Sequence, residues 1–167
     1  VEVLESGAGL VHGDLSGDNV YIEGSDDALD VRLIDFDGFF HRDVPMVPCS
    51  DDEGGRKTGT DGYRAAAYSS LGPNDCVRSD RVALAILVLE LMVLQGEDVG
   101  PDGELGRESL LEQADINRGV LDVPPDLLTR WPSGFDLLQH ALAARDPTGA
   151  PSPADWRKML HEISPQL

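Results

Sequence analysis

The sequence has little of several features that would assign a protein to a class at once. Its two cysteines, Cys49 and Cys76, do not have a metal-binding spacing, which favours reduced thiols. No secretory-type stretch is visible near residue 1, so a cytoplasmic location is expected. The longest apolar run, VALAILVLELMVL at 82–94, is interrupted by Glu90. It is too short to span a bilayer and predicts a deeply buried helix.

Positive charge is also scarce. Lys and Arg together number 13 against 31 Asp and Glu, which gives a net charge of −18. Such a chain repels nucleic acid and anionic membrane surfaces, so neither is an expected partner. Hydrophobic residues still make up 41% of the 167 residues, enough for one domain with a real core.

The order of predicted elements changes along the chain. Two short β-type runs, NVYIEG at 19–24 and ALDVRLIDF at 28–36, flank a polar turn and predict a hairpin. The polar, Gly-rich residues 37–63 predict a long loop. Beyond it the periodicity predicts only helices. They include the buried helix at 80–95 and an amphipathic helix formed by RESLLEQADINRG, which ends at Gly119. The expected fold class is therefore mainly α with a small β-hairpin.

The two last predicted helices have their own start signals. Ser133 is expected to cap the helix GFDLLQHALAAR, and Ser152 the helix that follows. Pro153 then takes the first helical position and Asp155 the first turn, where an acidic residue suits the helix dipole.

The stretch HGDLSGDNV at 12–20 holds the densest set of residues that carry chemistry. The spacing H-x-D-x-x-x-x-N is typical of a phosphotransferase catalytic loop. There Asp14 would orient the attacking hydroxyl, and Asn19 would bind a Mg²⁺ on the phosphates. Gly, Asp, Ser and Asn are also turn formers, and taken alone such a composition is more typical of a plain loop.

Three more segments follow in order. LIDFDG, at 33–38, ends a strand on Asp35, where a second oxygen ligand would meet Asn19 on one metal ion. GTDGYRAAAY follows at 59–68. SDRVALAILVLEL then opens the buried helix with Asp80, a position that the helix dipole alone would also favour.

Together these four segments resemble the C-terminal lobe of eukaryotic-type Ser/Thr protein kinases, and they occur in the family's order. The resemblance implies a kinase-like lobe over residues 1–167. Its parts would be the catalytic loop 12–20, the metal-binding strand end 32–38, the activation segment 35–68, the central helix 80–95 and the C-terminal helices 107–163.

The resemblance also implies roles for single residues. The catalytic set is Asp14, Asn19 and Asp35, of which the last two would bind Mg²⁺. Support for the loop or for the substrate would come from His12, Ser16, Thr60 and Asp80. His12 would brace the loop rather than act as a base. The implied ligands are ATP and a Ser or Thr side chain of a protein substrate.

Several positions depart from the family pattern. The usual Arg after the histidine is Gly13, and the usual Lys after the catalytic Asp is Ser16, which removes a cation from the phosphoryl group. Asp37 replaces a Gly beside the metal site. Ala67 and Ala150 replace both halves of a buried Glu–Arg pair, and losing both avoids a stranded charge.

The sequence shows no Gly-rich phosphate loop, no strand lysine and no partner glutamate of the family's other lobe. We therefore expect that lobe in the same chain or in another one, and no transfer by residues 1–167 alone. Two alternatives stay open. One is a small-molecule phosphotransferase of the aminoglycoside or choline type, which HGDL also suits. The other is a pseudokinase or docking module, which Ser16 favours.

Overall fold

The computed structural model describes residues 9–25, 28–36, 40–41, 59–65, 73–93, 111–119, 129, 131–146 and 148–163. The strands are β1 (Leu10–Val11), β2 (Val20–Ser25), β3 (Ala28–Leu33) and β4 (Phe40–His41), with a 3₁₀ turn at Gly17–Asn19. The helices are α1 (Pro73–Val93), α2 (Gln113–Arg118), α3 (Pro132–Ala143) and α4 (Pro153–Ile163). The prediction of a mainly helical chain with a small hairpin is confirmed for this part of the chain.

The hairpin forms as predicted, with somewhat different ends. β2 and β3 pair antiparallel from Val20↔Leu33 to Ser25↔Ala28. Asn19 belongs to the 3₁₀ turn, and β3 stops at Leu33 rather than at residue 36. A second antiparallel pair, β1 with β4, was not predicted, because two-residue strands leave no periodic signal in the sequence.

The buried helix begins earlier than predicted. The sequence placed its start at residue 80, but α1 begins at Pro73, whose fixed φ suits the first helical position. Asp80 therefore lies inside the helix and is buried, so the alternative that it serves only as a dipole-favoured first residue is wrong. Ala85 and Ile86 have no exposed surface, which places α1 at the centre of the core.

The core joins α1 to the other three helices. Residues from all four helices and from the loop segments are members of one buried cluster, among them Leu15, Tyr63, Ile86, Ile116, Leu138 and Trp156. Within the described part of the chain, no helix has the length and apolar character needed to cross a membrane.

Two arginines of α1 hold the segment between α3 and α4. Arg78 donates through Nη1 to the carbonyl oxygen of Ala144 at 3.2 Å, and Arg81 does the same to Ala150 at 3.0 Å. Ala150, where the resembled family has an arginine, is buried. The position of its expected partner, Ala67, lies outside the described residues. Helix arginines thus bind the backbone here, in a region where the family uses a side-chain ion pair.

The predicted helix ends are partly right. Gly119 closes α2 in the left-handed conformation at φ 66°, as expected, although α2 itself covers only Gln113–Arg118. Ser152 caps α4 as predicted. Its hydroxyl donates to Asp155 Oδ2 at 2.7 Å and accepts from the Asp155 amide at 3.3 Å. The Ser152 hydroxyl and amide both lower the pKa of Asp155, so this stabilisation is lost as the pH falls through the acid range.

The predicted cap of α3 is wrong. Ser133 lies inside the helix, because Pro132 takes the first helical position and leaves Trp131 as the capping residue. Ser133 is exposed, and α3 begins without a side-chain hydrogen bond at its cap.

We predict that Ser152→Ala lowers the free energy of unfolding by about 1 kcal/mol, because it removes the cap of α4. Ser133→Ala is the matched control and should change it by less than about 0.5 kcal/mol. Urea denaturation, followed by the fluorescence of the buried Trp131 and Trp156, measures both values. Equal losses in the two variants would contradict this assignment of the caps.

Candidate active site

The stretch HGDLSGDNV is fixed to α1 through its backbone. Asp80 accepts a hydrogen bond from the His12 amide on Oδ2, at 2.7 Å, and another from the Gly13 amide on Oδ1, at 3.0 Å. Only 6% of Asp80 is exposed. Both oxygens of one buried carboxylate thus hold consecutive amides just before Asp14, which agrees with the supporting role that the resemblance implies for Asp80.

His12 ties the same loop to the end of β3. Its side chain is 1% exposed, and Nε2 lies 3.0 Å from the carbonyl oxygen of Ile34. Because a carbonyl can only accept, Nε2 must carry the hydrogen. The ring also lies against Phe36, with 5.3 Å between the ring centroids. These contacts suit a brace between two segments, the role that the resemblance implies.

Asn19 is oriented by a hydrogen bond inside the loop. Its Nδ2 donates to the carbonyl oxygen of Asp14 at 2.8 Å, and this leaves Oδ1 as the acceptor end of the amide. The amide of Ile34 donates to the Asn19 carbonyl at 3.0 Å. This backbone bond joins Ile34, and with it the strand end that carries Asp35, to the loop at Asn19.

Asp35 has an unusual backbone conformation. Its φ is 59°, in the left-handed region that few non-glycine residues adopt, although Asp tolerates it better than most. Its side chain is exposed. The turn follows β3 and places Asp35 at the open end of the hairpin, opposite the end at which β2 connects to β3. Residues held in such conformations are often found at functional sites.

Asn19 Oδ1 and the Asp35 carboxylate are oxygen donors of the kind that Mg²⁺ prefers. Mg²⁺ is commonly held by one or two protein oxygens, and waters and substrate phosphates complete its shell. Among the described residues, no group of three or more His, Cys, Asp or Glu side chains could hold a metal. Asp37, the additional carboxylate considered from the sequence, lies outside those residues.

Asp14 contacts the segment 59–65 directly. Thr60 Oγ1 donates to Asp14 Oδ1 at 2.8 Å, and the two residues line one narrow pocket together with Gly13, Gly59 and Arg64. Asp14 is half-buried. The carboxylate is thus oriented through one oxygen, while Oδ2 can accept a hydrogen bond from another group.

Three contacts that sequence reasoning missed hold the segment 59–65 in place. Tyr63 donates from its hydroxyl to Glu90 Oε2 at 2.8 Å. Gln113 accepts the Gly62 amide at 3.1 Å and donates to the Arg64 carbonyl at 2.8 Å. Glu90 did carry a signal, since a charge within an apolar run must find a buried partner. Gln113, in contrast, is an ordinary helix residue in the sequence.

The Tyr63–Glu90 contact is buried. Burial raises the pKa of the Tyr63 hydroxyl, and the nearby charge of Glu90 raises it further. Ser16, where the resembled family has a lysine, is 1% exposed, and its hydroxyl makes no hydrogen bond within the described part of the structure. The site therefore has a short neutral side chain where the family has a cation.

No protein-family model matches the chain, and no similar curated protein or solved structure is found. The resemblance to protein kinases rests on the four sequence segments. The geometry adds which of their residues meet: Asp14 with Thr60, Asp80 with the loop amides, and Asn19 with the strand end that carries Asp35.

We predict that Asp80→Asn loosens the loop, because an amide group cannot accept both backbone N–H groups. The free energy of unfolding should fall by about 2–3 kcal/mol, and hydrogen exchange at the His12 and Gly13 amides should accelerate. Asp136→Asn, at an exposed position on α3, is the control and should leave both unchanged. Unaltered exchange in Asp80→Asn would show that the loop does not depend on this carboxylate.

We predict that Tyr63→Phe lowers stability near neutral pH by about 1–2 kcal/mol, through the lost bond to Glu90. Because the pKa of Tyr63 is raised in the folded protein, the protonated hydroxyl stabilises the fold fully below about pH 10, which is the tyrosine pKa in unfolded chains. This stabilisation is lost as the pH rises further. The two proteins should therefore converge in stability above pH ~10. Tyr21→Phe is the control, and a constant difference between wild type and Tyr63→Phe across that range would refute the prediction.

Proposed function

We propose that this chain is the C-terminal lobe of a phosphotransferase resembling Ser/Thr protein kinases. Together with a second lobe, it would transfer the γ-phosphoryl group of ATP to a protein hydroxyl with the help of Mg²⁺. The observation that carries the proposal is the environment of Asp14. Its carboxylate is oriented by Thr60 and belongs to a loop whose His12 and Gly13 amides are anchored to Asp80.

In the proposed reaction, Asp14 Oδ2 accepts a hydrogen bond from the acceptor hydroxyl. The acceptor oxygen forms a bond to the γ-phosphorus, the bond from that phosphorus to the bridging oxygen breaks, and ADP leaves. The hydroxyl proton passes to Asp14. Because this kind of transfer depends mainly on positioning and charge, the fixed orientation of the Asp14 carboxylate is its main contribution.

Asn19 and Asp35 are the residues that would hold the metal. Asn19 would offer Oδ1, since its Nδ2 is engaged by the Asp14 carbonyl, and Asp35, one residue beyond Ile34, would offer an exposed carboxylate. A bound Mg²⁺ would supply positive charge to the phosphates, which a protein of net charge −18 needs in order to accept a triphosphate.

A second lobe is part of the proposal. Near Asp35, three large apolar side chains are exposed: Val31 at 60%, Ile34 at 40% and Phe36 at 49%. An apolar surface at the mouth of a site is suited to contact with another protein unit or with a nucleotide base. We therefore expect the lobe that completes the nucleotide site to pack here, from the same chain or from another.

The contact between Asp14 and Thr60 favours a protein acceptor over a small molecule. It brings the segment 59–65 against Asp14, so that an extended peptide bound along this segment would have its hydroxyl beside the carboxylate. The pseudokinase alternative is favoured by Ser16, whose neutral side chain leaves the transferring group without the family's cation. Measured transfer decides between the two.

We predict that Asp14→Asn in the full-length protein lowers kcat by roughly 10²–10⁴-fold, the usual contribution of a general base. Nucleotide affinity should stay nearly unchanged, because Asp14 acts on the acceptor.

Asp35→Asn should weaken binding of nucleotide in the presence of Mg²⁺ and have little effect in EDTA. Transfer from labelled ATP to a generic Ser/Thr peptide and titration with a fluorescent nucleotide measure these effects.

Asp30→Asn, on the exposed face of the hairpin, is the control for both measurements and should behave as wild type. Equal transfer rates in wild type, Asp14→Asn and Asp35→Asn would refute the proposed active site. Nucleotide binding without transfer in the wild type would assign the protein to the pseudokinases.

A further inference from the structure

Arg64 lies directly beside the candidate site. It lines the same narrow pocket as Asp14 and Thr60. Its side chain runs across Gly59, where an added Cβ would approach Arg64 Cγ to 2.8 Å, and the same Cβ would lie 3.7 Å from the Gly13 carbonyl oxygen. Gly59 has a φ of +93°, which few other residues tolerate. The packing against Gly59 therefore keeps the stem of Arg64 close to the loop that carries Asp14.

Arg64 is the cation of this pocket. Among the described residues that line it, every other side chain is neutral or acidic, including Asp14 and Asp80. Ser16 does not supply the charge that a lysine would bring. An anionic group that entered beside the acceptor hydroxyl would therefore find its electrostatic partner in Arg64.

The present partner of Arg64 is poorly suited to hold it permanently. Arg64 pairs with Asp61, but the Arg64 side chain is 14% exposed whereas that of Asp61 is 76% exposed. An exposed carboxylate contributes about 0–1 kcal/mol to such a pair and can rotate into solvent. The pair of Arg118 with Asp115, at the same i,i+3 spacing, has the opposite arrangement, with an exposed arginine and a more buried carboxylate.

We propose that Arg64 selects protein substrates with an acidic side chain next to the acceptor Ser or Thr, by displacing Asp61 and binding that carboxylate. This inference rests on the proposed kinase function for the identity of the acceptor. A guanidinium presents two parallel N–H groups to a carboxylate, which favours it over a neutral amide of the same shape. An extended peptide advances about 3.3–3.6 Å per residue, so the selected position lies within one or two residues of the acceptor.

The test compares two peptides that differ only in Asp against Asn on either side of one Ser. Each is measured with the full-length protein as a substrate and, with Ala in place of Ser, as a fluorescent binding probe. We expect wild type to favour the Asp peptide about tenfold, mainly through KM, which is the effect of one charge-assisted hydrogen bond. Arg64→Gln should reduce the ratio to near one, and Arg64→Lys should retain part of it.

Two further variants separate recognition from a structural role. Asp61→Asn removes the competing carboxylate from an exposed position and should increase the preference for the Asp peptide. Arg118→Gln is the matched control, and its preference should equal that of wild type. A wild type without preference, a preference that survives in Arg64→Gln, or no gain in Asp61→Asn would overturn the inference.

The binding probe distinguishes this inference from the proposed function. If the Asp probe binds in preference, Arg64→Gln abolishes that preference, and no peptide is phosphorylated, Arg64 is an anion-binding residue of a protein without transferase activity. If peptides are phosphorylated with equal efficiency in wild type and Arg64→Gln, the kinase proposal stands and the role given to Arg64 is wrong.

Discussion

The buried carboxylate of Asp80 is the contact on which the candidate site depends. Between His12 and Asn19 the loop has one apolar side chain, Leu15, which packs in the core. Asp80 adds two hydrogen bonds to consecutive amides, and His12 adds a third contact to the end of β3. Burying a charge is costly unless it is fully hydrogen-bonded, and here the backbone supplies the donors.

The same reasoning applies to the segment that faces Asp14. It holds few apolar side chains besides the buried Tyr63, and polar contacts from α1 and α2 determine its path. Both segments of the site are thus irregular chain, held against helices by single polar side chains. Polar contacts to rigid helices thus give irregular chain a defined geometry.

How much of this could be predicted from the sequence depended on the kind of signal. The hairpin, the cap at Ser152 and the closing Gly119 followed from local rules, because each depends on neighbours in the chain. The start of α1 and the cap of α3 did not, since Pro73 and Pro132 outweighed the acidic residue and the serine used as markers. The role of Asp80 could be expected only through the resemblance. Gln113 left no signal, because its partners are backbone atoms far away in sequence.

The length of α1 has one more consequence. Asp80 and Glu90 lie on this single helix, and they hold the two segments that meet at Asp14 and Thr60. At 1.5 Å per residue they are about 15 Å apart along the axis, and less than a quarter turn apart around it. The helix thus acts as a ruler. One residue inserted between them would turn Glu90 by about 100° away from Tyr63 and so would separate one of the two segments from its anchor on the helix.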